Sequence, residues 1–224
     1  MKIKMSKYYL IMLITIFLIS AENLPSTAQL NIARLKYAGG GDWYQNNTAL
    51  DNLVQRLSEV SPVKAIYKEK YIEPSEKDLF NFPFICMFGH GMVKFSEQDV
   101  ENLRNYLIGG GFLWVDDDYG IDKYFRREIE KVFPDKEIVE LPFNHKIFHS
   151  FYSFPNGLPK IHEHDNKPPQ GFAIFHEGRM VVFYSYECDI GDGMEDPEIH
   201  NDPPEKREQA LKMGTNIVIY ALTN

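Results

Sequence analysis

Four loops of this sequence concentrate the residue types that bind ligands or transfer protons. Each loop follows a predicted strand and carries glycines, carboxylates, a histidine or aromatic rings. In chain order the loops contain Gly39-Gly40-Gly41-Asp42-Trp43-Tyr44, Gly89-His90-Gly91, Asp116-Asp117-Asp118-Tyr119, and an acidic stretch that begins at Glu187. Open parallel sheets bind their ligands in the crevice beyond the carboxyl ends of the strands. The sequence therefore predicts one polar site, assembled from four loops at that edge.

The loop Gly89-His90-Gly91 places an imidazole between two glycines. Histidine gains or loses its proton near neutral pH, so we predict that His90 is an acid–base group. The flanking glycines would allow the backbone N–H groups of Gly89 and Gly91 to stabilise an oxyanion. A tight turn with an exposed imidazole is the alternative, and the sequence leaves both interpretations open.

Asp116, Asp117 and Asp118 directly follow an apolar strand. Like charges in a partly buried site repel one another and raise the pKa of each carboxyl, so this arrangement is costly. A solvated turn, or a helix cap by Asp122, would relieve part of the cost, and a cation or polar ligand would relieve the rest. We predict Asp116 or Asp117 as the nucleophile or general base of any reaction.

The remaining candidates are ligand-binding groups in the same four loops. Aromatic rings there can stack on a sugar or a planar ligand, although rings at the base of loops equally often belong to the core. The predicted ligand-binding residues are Asp42, Trp43, Tyr44, Gly89, Gly91, Asp118, Tyr119, Glu187, Asp189 and His200.

No metal ligand and no cofactor is assigned from the sequence. A divalent cation bound by Asp116, Asp118, Asp189 or His200 is an alternative, and oxygen-rich ligands of this kind favour Ca²⁺, Mg²⁺ or Mn²⁺.

A second histidine-rich segment, His162-Glu163-His164-Asp165, resembles a metal cluster. Neighbouring residues on an extended segment point to opposite faces, so at most His162 and His164 could share an ion. Their spacing matches no standard zinc signature, and a metal is the weaker interpretation of this segment.

Alternating strands and helices must position these loops. Strands are predicted at Ile32–Tyr37, Val63–Ile66, Phe84–Phe88 and Phe112–Val115, and a hairpin at Phe172–Phe175 and Met180–Tyr186. Helices are predicted to begin near Asn47 or Thr48, at Ser96 in a capping box with Asp99, near Tyr124, and at about Glu205. This order predicts a three-layer α/β fold with a mainly parallel sheet, helices on both faces and one β-hairpin.

The first 28 residues have the three parts of a signal peptide. Lys2, Lys4 and Lys7 precede an apolar run, and Ser26-Thr27-Ala28 provides small residues for cleavage after Ala28. The apolar run is shorter than the ~20 residues that a membrane-spanning helix needs, so a retained anchor is the weaker alternative. We therefore expect a secreted or periplasmic protein whose residues 29–224 form one domain without a transmembrane segment.

Charge and cysteine content narrow the partners further. The formal net charge is −8, and loss of the basic signal segment makes the chain more acidic. Such a chain is unsuited to nucleic acids and to anionic membrane surfaces. Cys86 lies in an apolar run and reads as a core residue, while a disulfide with Cys188 is permitted outside the cytoplasm and is left open.

With these residues assembled, the chain resembles a bacterial family of domains of unknown function that occurs mostly in exported or membrane-tethered proteins. The resemblance extends from about residue 30 to residue 222. It rests on Arg34-Leu35-Lys36-Tyr37 with the following Gly-Gly-Gly-Asp-Trp-Tyr, on Gly89-His90-Gly91, on Gly110-Gly111-Phe112-Leu113 leading into the aspartates, on Asn156-Gly157-Leu158-Pro159, on Asp189-Ile190-Gly191-Asp192-Gly193, and on His200-Asn201-Asp202-Pro203-Pro204-Glu205.

This resemblance implies a flavodoxin-like fold similar to the class I glutamine amidotransferase superfamily, but it implies no reaction. In true amidotransferases a cysteine occupies a sharp strand-to-helix elbow. The corresponding strand end here is Val115-Asp116-Asp117-Asp118, and neither Cys86 nor Cys188 fits the elbow. The resemblance therefore argues against a thiolate-dependent glutaminase.

We thus expect an exported envelope domain that binds a polar small molecule, a glycan or an envelope protein at its sheet edge. The alternative is a hydrolase that uses carboxylates and a histidine, with or without a metal. A purely structural role in a membrane-associated assembly is the third interpretation.

Overall fold

The fold is known from a computed structural model that describes residues 29–224, without the side chains of residues 69 and 70. The predicted signal peptide lies outside the described residues. Helices pack on both faces of a seven-stranded sheet, which confirms the three-layer α/β prediction. None of the helices within residues 29–224 combines the length and the apolar character that crossing a bilayer requires.

The bounds of the elements are as follows. The strands are β1 Leu30–Leu35, β2 Ala65–Ile72, β3 Phe84–Met87, β4 Phe112–Asp116, β5 Val139–Glu140, β6 Gln170–His176 and β7 Arg179–Tyr186. The helices are α1 Ala49–Val60, α2 Glu97–Ile108, α3 Asp122–Val132, α4 Ile190–Met194, α5 Pro197–His200 and α6 Pro204–Thr223. Short 3-10 helices lie at Lys77–Asn81 and Lys146–His149.

The strand order explains why the candidate loops meet. Strands run β2-β1-β3-β4-β7-β6-β5 across the sheet, and the first five are mutually parallel. β6 and β7 form the predicted antiparallel hairpin, and β5 pairs antiparallel with β6. The carboxyl ends of β1, β3, β4 and β7 therefore share one edge of the sheet.

The continuous apolar runs belong to strands that are covered on both faces, as expected for a parallel sheet. Phe84 and Cys86 of β3 pack in the core layer beneath α1 and α6, while Ile85 and Met87 pack beneath α2 and α3. The central strands are therefore buried between two apolar layers, and the polar groups lie in the loops at the ends of these strands.

Some boundaries differ from the prediction. β2 begins at Ala65 and continues to Ile72, beyond the predicted Val63–Ile66, because this edge strand carries charged residues that interrupt the apolar pattern. β5, which has only two residues, gave no periodic signal. The acidic stretch after β7 contains α4 and α5, which were not predicted.

Helix capping follows the prediction at one site and departs from it at another. At α2, Asp99 N donates to Ser96 Oγ at 3.2 Å and Ser96 N donates to Asp99 Oδ2 at 2.8 Å, which is the predicted capping box. Thr48 occupies the N-cap position of α1, but its hydroxyl accepts a hydrogen bond from Asp196 N at 2.9 Å. The Thr48 side chain therefore connects the start of α5 to α1 by a hydrogen bond and does not cap its own helix.

The capping box gives a stability prediction. We expect Ser96→Ala to lower the free energy of unfolding by about 1 kcal/mol, because it removes the hydroxyl that satisfies a first-turn amide. Ser58→Ala is the matched control, since the Ser58 hydroxyl bonds only within the exposed turn of α1. Urea denaturation compares the two variants, and equal stabilities would contradict the role of the box.

Candidate functional site

Asp116 ends β4 and is fully buried. Its Oδ2 accepts a hydrogen bond from Gly191 N at 2.6 Å, and its Oδ1 accepts one from the Ser185 hydroxyl. Burial raises the pKa of the Asp116 carboxyl well above its usual range, and the negative charges of Asp189 and Asp192 raise it further. Both carboxyl oxygens are thus engaged by α4 and β7.

Asp117 is nearly as buried and holds the start of the next helix. Its Oδ1 accepts hydrogen bonds from Tyr119 N at 3.1 Å and from Ile121 N at 3.0 Å, directly before α3. Burial raises the pKa of Asp117 to about 6. The Asp117 side chain therefore stabilises the turn between β4 and α3 by accepting hydrogen bonds from two of its backbone amides.

Asp118 connects β4 to two other loops. Its Oδ2 accepts hydrogen bonds from Gly89 N at 2.7 Å and from Asn46 Nδ2 at 2.9 Å. Its Oδ1 is buried and has no hydrogen-bond partner within residues 29–224. Burial, followed by the charge of Asp192, raises the pKa of Asp118 well above the ordinary value.

Asp42 and His90 form a pair on the neighbouring loops. The backbone N–H of His90 donates to Asp42 Oδ1, and His90 Nδ1 lies 3.1 Å from Asp42 Oδ2. The His90 side chain is 43% exposed, so its other nitrogen is accessible. The amides of Gly89 and His90 both donate to carboxylates of the protein, which leaves Gly91 as the glycine of this turn that could still supply a donor.

The predicted aromatic residues lie at two separate places. Trp43 contacts Tyr44 and Tyr71 edge-on, with ring centroids 5.6 and 5.0 Å away, on the β2 side of the sheet. Tyr119 lies beyond β4, and its ring stacks on His164 with centroids 4.5 Å apart. Of the predicted rings, Tyr119 is therefore the one that lies beside the acidic groups.

A cluster of histidines and carboxylates lies where α4 and α5 meet the loop before β6. We call it the histidine–carboxylate cluster, and its members are His162, His164, Asp189, Asp192, Glu195, His200 and Asp202. Asp189 and His200 are the members predicted as ligand-binding residues, and His162 and His164 are the pair considered for a shared ion.

His162 is the centre of this cluster. Its Nδ1 lies 3.0 Å from Asp189 Oδ2 and 3.1 Å from Asp192 Oδ2, while its Nε2 lies 3.2 Å from Asp202 Oδ1. Hydrogen bonds that the imidazole donates to Asp189 and then to Asp192 raise the pKa of His162 to about 10. Three carboxylates thus surround one imidazole.

The other two histidines join the same carboxylates. His200 Nε2 lies 2.9 Å from Glu195 Oε2 and 3.7 Å from Asp192 Oδ1. His164 Nε2 lies 2.5 Å from Asp189 Oδ2, the oxygen that His162 also contacts. His162 and His164 therefore contact the same carboxylate oxygen.

A cleft of about 290 Å³ opens beside Tyr119, between the ends of β4 and β7, and we call it the β4–β7 cleft. It is lined by Asp117, Tyr119, Gly120, Asp122, Lys123, Asp165, Lys167, Tyr186 and Glu187. Glu187, a predicted ligand-binding residue, is buried at its base and lies 3.1 Å from Lys160 Nζ and 3.7 Å from Lys167 Nζ.

Both cysteines are free thiols buried in the core. Burial raises the pKa of the Cys86 thiol and of the Cys188 thiol well above their usual range. Cys188 Sγ faces Asp116 Oδ1 at 3.9 Å. Neither side chain has the thiolate character or the exposure that a cysteine nucleophile requires.

The sequence placed the acidic stretch after β7 at the sheet edge and singled out the segment His162-Glu163-His164-Asp165, but it did not bring the two together. The loop before β6 and the short helices after β7 lack periodicity, so no pattern indicated that His162 and His164 lie beside the acidic stretch. The available signals were the alternation of His162 with His164 and the spacing of Asp189 from Asp192. The two segments meet in the fold, where Ile161 N donates a hydrogen bond to Cys188 O at 2.9 Å.

Asp117 gives a prediction for the pH dependence of stability. Because the folded state raises the Asp117 pKa to about 6, folding retains a proton that the unfolded chain loses near pH 4. As the pH rises from about 4 to about 6, ionisation of Asp117 should therefore lower the free energy of unfolding.

Asp117→Asn keeps an oxygen acceptor for the two amides but removes the buried charge. We expect it to be more stable than the wild type by about 1–3 kcal/mol at pH 7.5 and equal to it near pH 4. Asp135→Asn, at an exposed carboxylate, is the control. Chemical denaturation at both pH values tests this, and a constant difference across pH would contradict it.

Comparison with known proteins adds one finding. A family model described as "Domain of unknown function (DUF4159)" matches residues 31–222. No curated protein matches the chain. Of the named strands and helices, the matched range lacks only the first residue of β1 and the last residue of α6, so every loop of the candidate site lies inside the family domain.

Proposed function

The chain belongs to the DUF4159 family, and we propose that it is an envelope domain that binds a hydroxyl-rich polar ligand, a glycan fragment, in the β4–β7 cleft. The lining of this cleft carries the proposal. Two tyrosine rings, Tyr119 and Tyr186, stand beside lysine and carboxylate groups at the carboxyl ends of two parallel strands.

The chemistry of the lining suits a sugar. Tyr119 is 45% exposed, and aromatic rings pack against the C–H faces of sugars while charged groups bind their hydroxyls. Lys167 Nζ lies 3.0 Å from the Tyr186 hydroxyl and 3.2 Å from Asp165 Oδ2, which provides donors and acceptors side by side. The volume of about 290 Å³ matches the lower end of small-ligand pockets, about 300 Å³.

Burial of the aspartates favours binding over carboxylate catalysis. A nucleophile or general base must reach the substrate. Asp116 is fully buried and bonded to Ser185 and Gly191, and Asp117 is 2% exposed with its Oδ1 bonded to two backbone amides. We therefore assign a structural role to the carboxyls of Asp116 and Asp117. Asp118 connects the loops after β1 and β3 through its hydrogen bonds.

The alternative, a hydrolase, is supported by one arrangement. His90 presents Nδ1 to Asp42, which leaves Nε2 available to accept a proton, as in a histidine–carboxylate base. A panel of ester, glycoside and phosphate substrates tests it. Turnover that disappears in His90→Ala would favour the hydrolase over pure binding.

The proposed setting is the cell envelope. A signal peptide over residues 1–28, cleaved after Ala28, would place the domain in the periplasm or outside the cell, where glycans are abundant. A parallel sheet with helices on both faces supports the proposed similarity to the glutamine amidotransferase fold, without its cysteine. A polar ligand or an envelope partner at this edge fits that setting.

Binding of cell-wall and polysaccharide fragments tests the proposal by isothermal titration calorimetry. We expect at least one fragment to bind, and Tyr119→Ala and Lys123→Ala to weaken its binding at least tenfold because each removes a cleft contact. Phe80→Ala and Lys146→Ala, at exposed positions elsewhere, are the matched controls. Absence of binding by all fragments, or equal losses in the cleft and control variants, would overturn it.

A further inference from the structure

The histidine–carboxylate cluster has the donors of a transition-metal site. We propose that it binds one Zn²⁺ ion through His162 Nδ1, Asp192 and His200 Nε2, with the Asp189 carboxylate beside them as a fourth donor. Two imidazoles with carboxylates form a ligand set that proteins use for zinc, whereas all-oxygen sets favour calcium or magnesium.

The geometry brings three donors together from three segments. One ligand atom from each of His162, Asp192 and His200 lies within 4.8 Å of the other two. Zinc–ligand distances of ~2.0–2.2 Å place tetrahedral donors closer than this, so modest side-chain rotations complete the site. Such rotations are available because these side chains are partly exposed, at 25%, 11% and 30% respectively.

Asp189 is an independent indication of a cation. Its side chain is 0% exposed, and Oδ1 is buried without a hydrogen-bond partner anywhere in the described chain. An unsatisfied buried carboxylate oxygen is costly, and a nearby cation removes that cost. The other oxygen of the same carboxylate faces His162 Nδ1 at 3.0 Å, so the group is directed into the cluster.

The outer contacts of His162 also match a ligating imidazole. Ligating histidines usually donate their second N–H to a carboxylate, which fixes the ring orientation. Asp202 supplies that carboxylate here, 3.2 Å from His162 Nε2. His162 is thus oriented from one side and presents Nδ1 to Asp189 and Asp192 on the other.

The local charge favours a dication. Four carboxylates, those of Asp189, Asp192, Glu195 and Asp202, surround His162 and His200. The cationic side chains next to the cluster donate to backbone carbonyl oxygens, Lys206 Nζ to Ile161 O and Arg207 Nε to Glu195 O at 2.7 Å. A divalent ion would therefore offset the negative charge of these carboxylates.

Metal analysis of the full chain, exported and purified without chelators, tests the inference. We expect about one zinc per chain by mass spectrometry, a lower melting temperature after EDTA treatment, and its recovery with Zn²⁺. Calorimetric titration of the EDTA-treated protein with ZnCl₂ should show one site. Binding of CaCl₂ with higher affinity than ZnCl₂, or no stoichiometric binding of Zn²⁺, would overturn the assignment.

Variants locate the ion. His200→Ala and Asp192→Asn should weaken Zn²⁺ binding at least 100-fold. His149→Ala is the matched control, because this exposed histidine contacts Phe143 O and Ser153 away from the cluster. His200 is exposed at the end of α5, so its variant decides the question even where Asp192→Asn impairs folding. Equal Zn²⁺ affinity of His200→Ala and the wild type would refute the site.

Discussion

The edge of this sheet depends on the burial of three consecutive aspartates at the end of β4. A buried carboxyl must find hydrogen-bond donors, and here each one recruits a different part of the chain. Asp116 holds α4 and β7, Asp117 holds the turn into α3, and Asp118 holds the loops after β1 and β3. Hydrogen bonds to these three aspartates therefore connect the loops around them.

This arrangement imposes strict steric limits on the neighbouring glycines. A Cβ at Gly191 would lie 2.2 Å from Asn46 Nδ2, and one at Gly89 would lie 2.7 Å from the Tyr37 hydroxyl. Gly89 also has φ +117, a conformation that other residues rarely adopt. The glycines in these motifs thus allow backbone amides to approach carboxylates of the protein itself, which explains their placement without invoking a bound phosphate.

The central strands and the gathering of loops at one edge were predictable, because fully apolar runs and helical spacing are local signals. The predicted boundaries of strands and helices were wrong where the hydrophobic pattern of the sequence gives no local signal. β2 is an edge strand with charged residues, and α4 follows Asp189, whose left-handed backbone (φ 53) is held by tertiary contacts. The assembly of the histidine–carboxylate cluster was not predictable for the same reason, since the loop containing His162 meets the segment before α4 through long-range packing.

His164 connects the two candidate sites. Its Nε2 lies 2.5 Å from Asp189 Oδ2 in the histidine–carboxylate cluster, and its ring stacks on Tyr119 at the β4–β7 cleft. Tyr119 has φ 90, a strained conformation for a bulky residue that persists only where its surroundings impose it. Asp117 accepts from its amide, Asp165 accepts from its hydroxyl, and His164 covers its ring. One imidazole therefore contacts both the Asp189 carboxylate of the histidine–carboxylate cluster and the Tyr119 ring at the β4–β7 cleft.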